Sequence, residues 1–283
     1  MRLVHLSDLH FGRAHPELVA PLLASVSALA PDLVVISGDF TQRARESQFA
    51  QARAFLDRLE APWLAVPGNH DIPLDRPLSR FLRPFAGYRR AICRDLEPVC
   101  DLQGLTVLGF NTASPRHWQA GHIRRARFAG LLARARKAAA AGRQVAVVAH
   151  HPFTQPDGSD KALIGGAAEA LEAMACAGVG LILTGHLHLW RTAPFVTQDG
   201  RARILQIQAG TGLSTRERGE PNDFGLIEVG VARTGITRYQ IAPTGGFGPA
   251  GQVAFRRTRG GWVAEAPPAA LVQDRPMLHE MAD

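Results

Sequence analysis

Five short apolar runs in this chain each stop at a cluster of aspartate, asparagine or histidine, and this recurrence constrains the fold more than any other feature. Leu3 to Leu6 ends at Ser7-Asp8-Leu9-His10, Leu33 to Ile36 at Ser37-Gly38-Asp39, and Trp63 to Val66 at Pro67-Gly68-Asn69-His70-Asp71. Val145 to Ala149 ends at His150-His151-Pro152, and Leu181 to Leu183 at Thr184-Gly185-His186-Leu187-His188. Between the first runs lie helical patterns. Glu17 to Leu29 follows Pro16, and Glu46 to Leu59 places Phe49, Ala52, Phe55, Leu56 and Leu59 on one face. Strand, polar loop, helix and strand in succession is the βαβ pattern. Sheets of this kind gather the loops at the carboxyl ends of their strands along one edge, where ligands bind. All five polar clusters fall there.

Residues 123–142 read as a further helix, with Phe128, Leu131 and Leu132 as its apolar side. After residue 190 the texture turns to strands: Ala193 to Thr197, Arg203 to Gln208, Gly225 to Val231 and Ile236 to Ile241 read as a second sheet packed on the first. Residues 252–265 are expected to form a hairpin turning at Arg259-Gly260-Gly261, and the tail beyond Glu265 to be loose. With 283 residues, 46% of them hydrophobic and 20% charged, the chain has enough apolar material for a full core, which excludes a disordered class.

The net charge of +7 favours anionic partners, whether nucleic acid, phosphorylated metabolites or acidic lipid, without choosing among them. Nearly all of the positive charge is arginine, because Lys137 and Lys161 are the only lysines. Cys93, Cys100 and Cys176 are odd in number and lack CxxC spacing, which argues against a disulfide framework or a zinc knuckle and for a reducing compartment. The chain opens directly on a buried strand, and no apolar run approaches the ~18 residues that span a bilayer. A soluble, cytoplasmic protein without a membrane span is expected.

Asp8 and His10 stand two apart at a strand end, so an extended backbone would project them to the same side. Each cluster alone has an ordinary explanation, since Asp and Asn are common turn formers after strands. Five clusters at the ends of five strands are different. Together they supply carboxylate, imidazole and amide oxygen, a mixed set suited to a pair of transition ions bridged by one carboxylate, whereas a structural zinc site takes four ligands and usually cysteine.

In these motifs the sequence resembles the calcineurin-like metallophosphoesterases: Asp8-Leu9-His10, Gly38-Asp39, Gly68-Asn69-His70-Asp71, His150-His151-Pro152 and Gly185-His186-Leu187-His188 follow the family order over residues 1–190. The resemblance implies an α/β fold, a four-layer α/β/β/α sandwich of two mixed sheets with a dinuclear site at the sheet edge. The catalytic domain would span residues 1–245, leaving a C-terminal hairpin and loose tail over residues 246–283. Position by position, it implies that Asp8, His10, Asp39 and His188 hold one divalent ion and Asp39, Asn69, His150 and His186 the other, the pair being Mn, Fe or Zn. His70 would lie beside the metals as an acid or hydrogen-bond donor toward the leaving group. Asp71 either orients His70 or caps the following turn. His151 points away from His150 if the strand continues, and His5, inside the first strand, reads as a core histidine.

The implied reaction is hydrolysis of a phosphoric ester by a metal-bridging hydroxide, without a phosphoenzyme. Gly-Asn-His-Asp and His-His-Pro resemble bacterial phosphodiesterases of the cyclic-nucleotide and glycerophosphodiester type, which favours a small-molecule diester as substrate. A nuclease on the same site is the alternative, and a non-catalytic interaction module on the same fold is a third reading disfavoured by the complete ligand set. Arg43 with Arg45, and Asn111, Arg116 and His117 with Trp118, lie in loops that could border the substrate, as phosphate clamps or as solvated loop residues. Arginines 124, 125, 127, 134 and 136 would add weight to nucleic acid only if they formed a stripe leading to the metals.

Overall fold

The computed structural model describes residues 1–117, 119–154, 163–216 and 219–265. Its first part alternates strand and helix: β1 (Arg2–Leu6), α1 (Pro16–Ala28), β2 (Leu33–Ile36), α2 (Glu46–Leu56) and β3 (Trp63–Ala65), then the short helices α3 (Pro77–Leu82) and α4 (Ala86–Ala91). The middle continues with β4 (Val99–Leu102), β5 (Leu105–Gly109), α5 (Arg125–Ala140), β6 (Gln144–Val148), α6 (Ala167–Cys176) and β7 (Leu181–Thr184). Strands alone follow: β8 (Arg191–Val196), β9 (Ala202–Gln208), β10 (Asp223–Val229), β11 (Arg233–Ile241), β12 (Phe247–Thr258) and β13 (Gly261–Ala264).

The strands form one mixed sheet in two arms. In the first, β3, β2 and β1 run parallel, and β10, β11, β12 and β13 extend it antiparallel. In the second, β5, β6, β7 and β9 are parallel, with β4 and β8 as antiparallel neighbours. The expectation of two sheets needs one amendment, because β13 joins the arms through the single pair Gly261 and Ala202, so the strands form one 13-stranded sheet in which β8 branches from β9.

Three apolar clusters explain why the arms stay together. One gathers Leu3, Val35, Leu64, Ile227 and Phe255 from the first arm with Val107, Val148, Leu183 and Ile207 from the second. Another lies under α1, α2 and α4, where Leu22, Phe49, Phe55 and Tyr88 meet Val4, Val34 and Ile36. The third packs Leu131, Ala135, Leu171 and Met174 of α5 and α6 on Val145, Val147 and Ile182. Residues of alternate parity on β1 and β2 thus serve different clusters, which is why these strands read as uninterrupted apolar runs. Each fully buried aliphatic side chain contributes roughly 1.5–3 kcal/mol. The helix read over 123–142 is narrower, at Arg125–Ala140, and the hairpin strand expected from 252 begins at Phe247. The expected loose tail beyond Glu265 lies outside the described residues. Among the described residues, no helix is long and apolar enough to cross a membrane.

His5 sits fully buried on β1, its Nε2 2.9 Å from Ser37 Oγ, as a core histidine should. Burial, partly offset by the Asp8 charge, pushes its pKa down to about 3. The imidazole therefore stays neutral in the folded state where the unfolded chain protonates, so its stabilising contribution is complete above pH 6.5 and is lost as pH falls toward 3. Between pH 6.5 and pH 5 this amounts to ~2 kcal/mol, at about 1.4 kcal/mol per pH unit. In urea unfolding at pH 7 and pH 5, His5→Gln should lose correspondingly less stability than the native chain. Equal losses would contradict this account of His5.

Candidate active site

Every cluster read from the sequence lies just beyond the carboxyl end of its strand: Asp8 and His10 after β1, Asp39 after β2, Asn69 and His70 after β3, His150 after β6, His186 and His188 after β7. Because the arms pack face to face through the shared cluster, these five loops converge. Asp8, His10, Asp39, His150, His186 and His188 are all buried.

The backbone that presents them is not extended. Seven non-glycine residues among those described have positive φ, and five of them are Asp8 (52°), His10 (48°), Asp39 (55°), His186 (73°) and His188 (58°). Such left-handed residues cost of order 1–3 kcal/mol each and concentrate where function over-determines the backbone. The convergence of Asp8 and His10 therefore comes from two left-handed turns rather than from continuation of the strand, contrary to the expectation above. Glycines let the loops stack this closely. A Cβ on Gly185 would lie 1.8 Å from Ser7 Oγ and 2.4 Å from Asp8 Oδ2, and one on Gly68 would lie 2.1 Å from Asp39 Oδ1.

Each carboxylate has one oxygen tied to protein donors and the other turned to the histidines. Asp8 Oδ2 accepts from Ser7 Oγ at 2.6 Å and from the His186 amide at 2.9 Å. Its buried Oδ1 receives no hydrogen bond and lies 3.1 Å from His188 Nε2 and 3.5 Å from His10 Nε2. Asp39 Oδ1 accepts from the His70 amide at 2.8 Å, and Oδ2 lies 3.7 Å from His10 Nε2 and 3.2 Å from His150 Nε2. Asn69 Oδ1 and His186 Nδ1 stand 3.1 and 3.3 Å from His150 Nε2.

Backbone carbonyls fix the tautomers. His188 Nδ1 donates to the Arg216 carbonyl and His150 Nδ1 to that of Ser37, each at 2.8 Å, which leaves the Nε2 lone pairs facing inward. His188 Nε2 consequently faces His10 Nε2 at 3.1 Å and Asp8 Oδ1 at the same distance. Lone pairs crowded in this way repel unless a cation sits among them. Donors bound at about 2.1 Å to one ion stand roughly 3.0–3.4 Å apart, close to the separations seen here. The cluster is capable of binding metal. Its charges are strongly coupled: burial opposes ionisation of Asp39, but the surrounding histidines, His150 foremost, hold its carboxyl well below the usual range. Burial likewise opposes charge on His150, yet Asp39 outweighs it and pushes the pKa up to about 9.

His70 lies at the rim, its ring edge-on to His10 with centroids 4.9 Å apart. Nδ1 donates to the Gln42 carbonyl at 2.8 Å, and Nε2 lies 3.1 Å from Arg216 Nη1. Of the two readings of Asp71, orienting His70 or capping the turn, its hydrogen bonds follow the second: among the described residues none joins it to this imidazole. Residues 69–71 form one 3₁₀ turn in which adjacent side chains diverge, and the Asp71 carboxylate instead accepts from the amides of Gly68 (3.0 Å), Thr41 (2.9 Å) and Phe40 (3.3 Å) and from Thr41 Oγ1 (3.1 Å). Burial and the nearby Asp39 charge push its pKa up to about 7, opposed by these donors. Asp71→Ala would leave several buried donors without an acceptor, so the unfolding free energy should fall by ~3 kcal/mol. Loss of activity with unchanged stability would reinstate a contact to His70.

The expectation that His151 points away from His150 is not met: the two rings stand edge-on with centroids 4.9 Å apart, and the His151 ring lies 4.6 Å from that of His186, with His151 Nδ1 2.9 Å from Thr112 Oγ1. An open cleft of about 590 Å³ begins at His70. Of the described residues read as bordering the substrate, Arg43 and Arg45 line it, with Arg13, Gln119 and Arg216, and Asn111, Arg116 and His117 do not. The loop carrying these three closes on itself through a bridge between Ser114 and His117. Asn111 is buried with Oδ1 on the Ala113 amide, the Arg116 amide lies 3.4 Å from Ser114 Oγ, and His117 stacks on His122 at 4.8 Å. Trp118 lies outside the described residues. None of the arginines of α5 lines the cleft. Ser7, Arg13 and Arg216 were not singled out in the sequence. The glycine before Asp39, Asn69 and His186 signals the tight approach, whereas nothing local marks Arg216, which arrives on the loop after β9.

The sequence pattern described as Calcineurin-like phosphoesterase matches residues 1–189. The chain belongs to that family. Among curated relatives, this family member is 35% identical over 82 residues to glycerophosphodiester phosphodiesterase GpdQ of Enterobacter lignolyticus, a match covering 25% of this chain and 30% of the relative. It is 28% identical over 217 residues to the cAMP/cGMP dual specificity phosphodiesterase MT0825 of Mycobacterium tuberculosis, covering 69% and 64%. For several relatives the chain spans less than a third of their length. Among solved structures, a dimetal phosphatase from Danio rerio shares the fold with a TM-score of 0.65 at 12% identity, covering 90% of this chain and 98% of that one.

Proposed function

We propose that this calcineurin-like phosphoesterase is a dinuclear metal-dependent phosphodiesterase acting on a small molecule. The observation that carries the reading is the sharing of Asp39 Oδ2 between two donor sets. That oxygen lies 3.7 Å from His10 Nε2, whose neighbours are Asp8 Oδ1 and His188 Nε2, and 3.2 Å from His150 Nε2, whose neighbours are Asn69 Oδ1 and His186 Nδ1. Four donors would hold each ion, with Asp39 as the bridge, and the imidazoles suit Mn, Fe or Zn. Two divalent ions there would supply an activated water near neutral pH and neutralise the phosphoryl oxygens during in-line displacement.

The chain's own groups do the rest. The Gln42 carbonyl keeps the His70 ring turned through Nε2 to the cleft, where Nε2 accepts from Arg216 Nη1; proton delivery to the leaving oxygen would take the imidazolium form with that hydrogen bond released. Arg216 places a permanent positive charge beside it. Ser7 and the His186 amide hold Asp8, and the His70 amide holds Asp39, so neither carboxylate reorganises when metal enters. The three apolar clusters support the α/β/β/α layering, with residues 1–245 as the catalytic unit and the C-terminal hairpin completing the sheet. Three free cysteines support a reducing, cytoplasmic setting.

Diester preference is supported by the Gly68-Asn69-His70-Asp71 and His150-His151-Pro152 motifs and by the activities named for GpdQ and MT0825. The test is a panel under one metal condition: a phosphomonoester, cyclic AMP, a glycerophosphodiester, a nucleotide pyrophosphate and single-stranded DNA. Hydrolysis of a small diester at least about ten-fold above the monoester and DNA is expected. A monoester preference would overturn the diester assignment, and a DNA preference with steep salt dependence would favour the nuclease.

A further inference from the structure

The cleft beside His70 is unusual in its charge. Arginines 13, 43, 45 and 216 line it with glutamines 42 and 119, and no described lining residue is acidic. Arg45 has a carboxylate partner, Asp75, at 3.8 Å, and Arg216 is directed to His70. The guanidinium groups of Arg13 and Arg43 have no carboxylate within ion-pairing distance among the described residues.

Their backbones are nevertheless fixed. The Arg13 amide donates to the His10 carbonyl and its own carbonyl accepts from Thr215, each at 2.7 Å. The Arg43 amide donates to Gln48 Oε1 at 2.8 Å, in a turn closed by the Ala44 amide on Thr41 Oγ1. Two exposed cations without a carboxylate partner among the described residues are thus mounted on the same loops that carry His10 and Asp39. Held on fixed backbones beside one another, they are placed to clamp an anion.

Among the described lining residues the only ring is His70, and none is aliphatic. At about 590 Å³ it accommodates a small metabolite. It opens from His70, the residue facing the leaving group, and includes neither Asn69 nor His150.

We infer that the substrate's leaving group carries a second phosphate, bound by Arg13 and Arg43. The natural ester is then a small polar diester with a phosphorylated alcohol on the leaving side. This rests on the phosphoesterase reading for the direction of the leaving group, but anion binding itself needs no metal.

That independence sets the experiment. Metal-stripped, dialysed protein is titrated calorimetrically with glycerol 3-phosphate and with glycerol at about 150 mM salt, where weak surface attraction is screened. The phosphate should bind at least about ten-fold more tightly than glycerol, and Arg13→Gln/Arg43→Gln should reduce the ratio to about one. No preference for the phosphate in the native protein overturns the inference, as does a preference that persists in the double variant. A protein that prefers the phosphate yet hydrolyses no ester with any divalent ion contradicts the enzymatic reading alone; one that hydrolyses diesters without this preference contradicts the subsite alone.

Discussion

Asp39→Asn is expected to lower kcat/KM on a phosphodiester by a factor on the order of 10³ or more, about 4 kcal/mol of transition-state stabilisation, and to reduce the bound metal below two equivalents. The substitution is nearly isosteric, and the amide oxygen can still accept from the His70 amide at the Oδ1 position. What changes is the other atom. Oδ2, which lies 3.2 Å from His150 Nε2 and 3.7 Å from His10 Nε2, becomes either an NH₂ group or an uncharged oxygen. Both donor sets lose their shared anion, and Asp8 remains as the only carboxylate turned toward the histidines. Asp8→Asn, by contrast, should weaken chiefly the set containing His10 and His188. Metal analysis of the two variants separates a bridging role for Asp39 from a role in one site, and equal losses in both would contradict the bridge.

His70→Ala is expected to reduce kcat by roughly 10²–10⁴ on an ester with an alkyl leaving group while leaving metal content intact. On bis-p-nitrophenyl phosphate the loss should be much smaller, because p-nitrophenolate departs without a proton. This contrast distinguishes proton delivery from mere positioning. A side chain that only packed against His10 would produce equal losses on both esters, and one that ligated a metal would lower metal content. Nδ1 is committed to the Gln42 carbonyl, so Nε2, beside Arg216 Nη1, is the atom that faces the cleft.

The residues of the candidate site were legible in the sequence because each lies in a short motif at a strand end, and local patterns mark both the strand and its end. Asp8, His10, Asp39, Asn69, His70, His150, His186 and His188 all needed only this. Their backbone conformation was not legible: the positive φ of Asp8 and His10 is imposed by the loops they meet, with the Asp8 amide on the Gly38 carbonyl and the His10 amide on that of Asp39. Contacts spanning the chain were equally hidden. Ser7 and His186 share Asp8 Oδ2 across 178 residues, and Arg216 reaches His70 across 146.

Adjacency left two readings open at Asp71, where the tight turn sends consecutive side chains in different directions. It misled at Asn111, Arg116 and His117, whose loop folds back on itself while Gln119 reaches the cleft. In the fold, α6 went unread although Ala170, Leu171 and Met174 of Ala167–Cys176 are buried on one face and Glu169 is exposed on the other. The continuity of the sheet rests on one residue pair, which no periodicity encodes.

The central claim, that Asp39 joins two metal sites into one catalytic centre, is most directly tested by adding Mn²⁺ in increments to the metal-stripped protein while following hydrolysis of bis-p-nitrophenyl phosphate. Activity should remain low until the second ion binds and reach its plateau at about two equivalents per chain. A plateau at one equivalent, or inertness at every ratio with Mn²⁺, Fe²⁺ and Zn²⁺ alike, would contradict it.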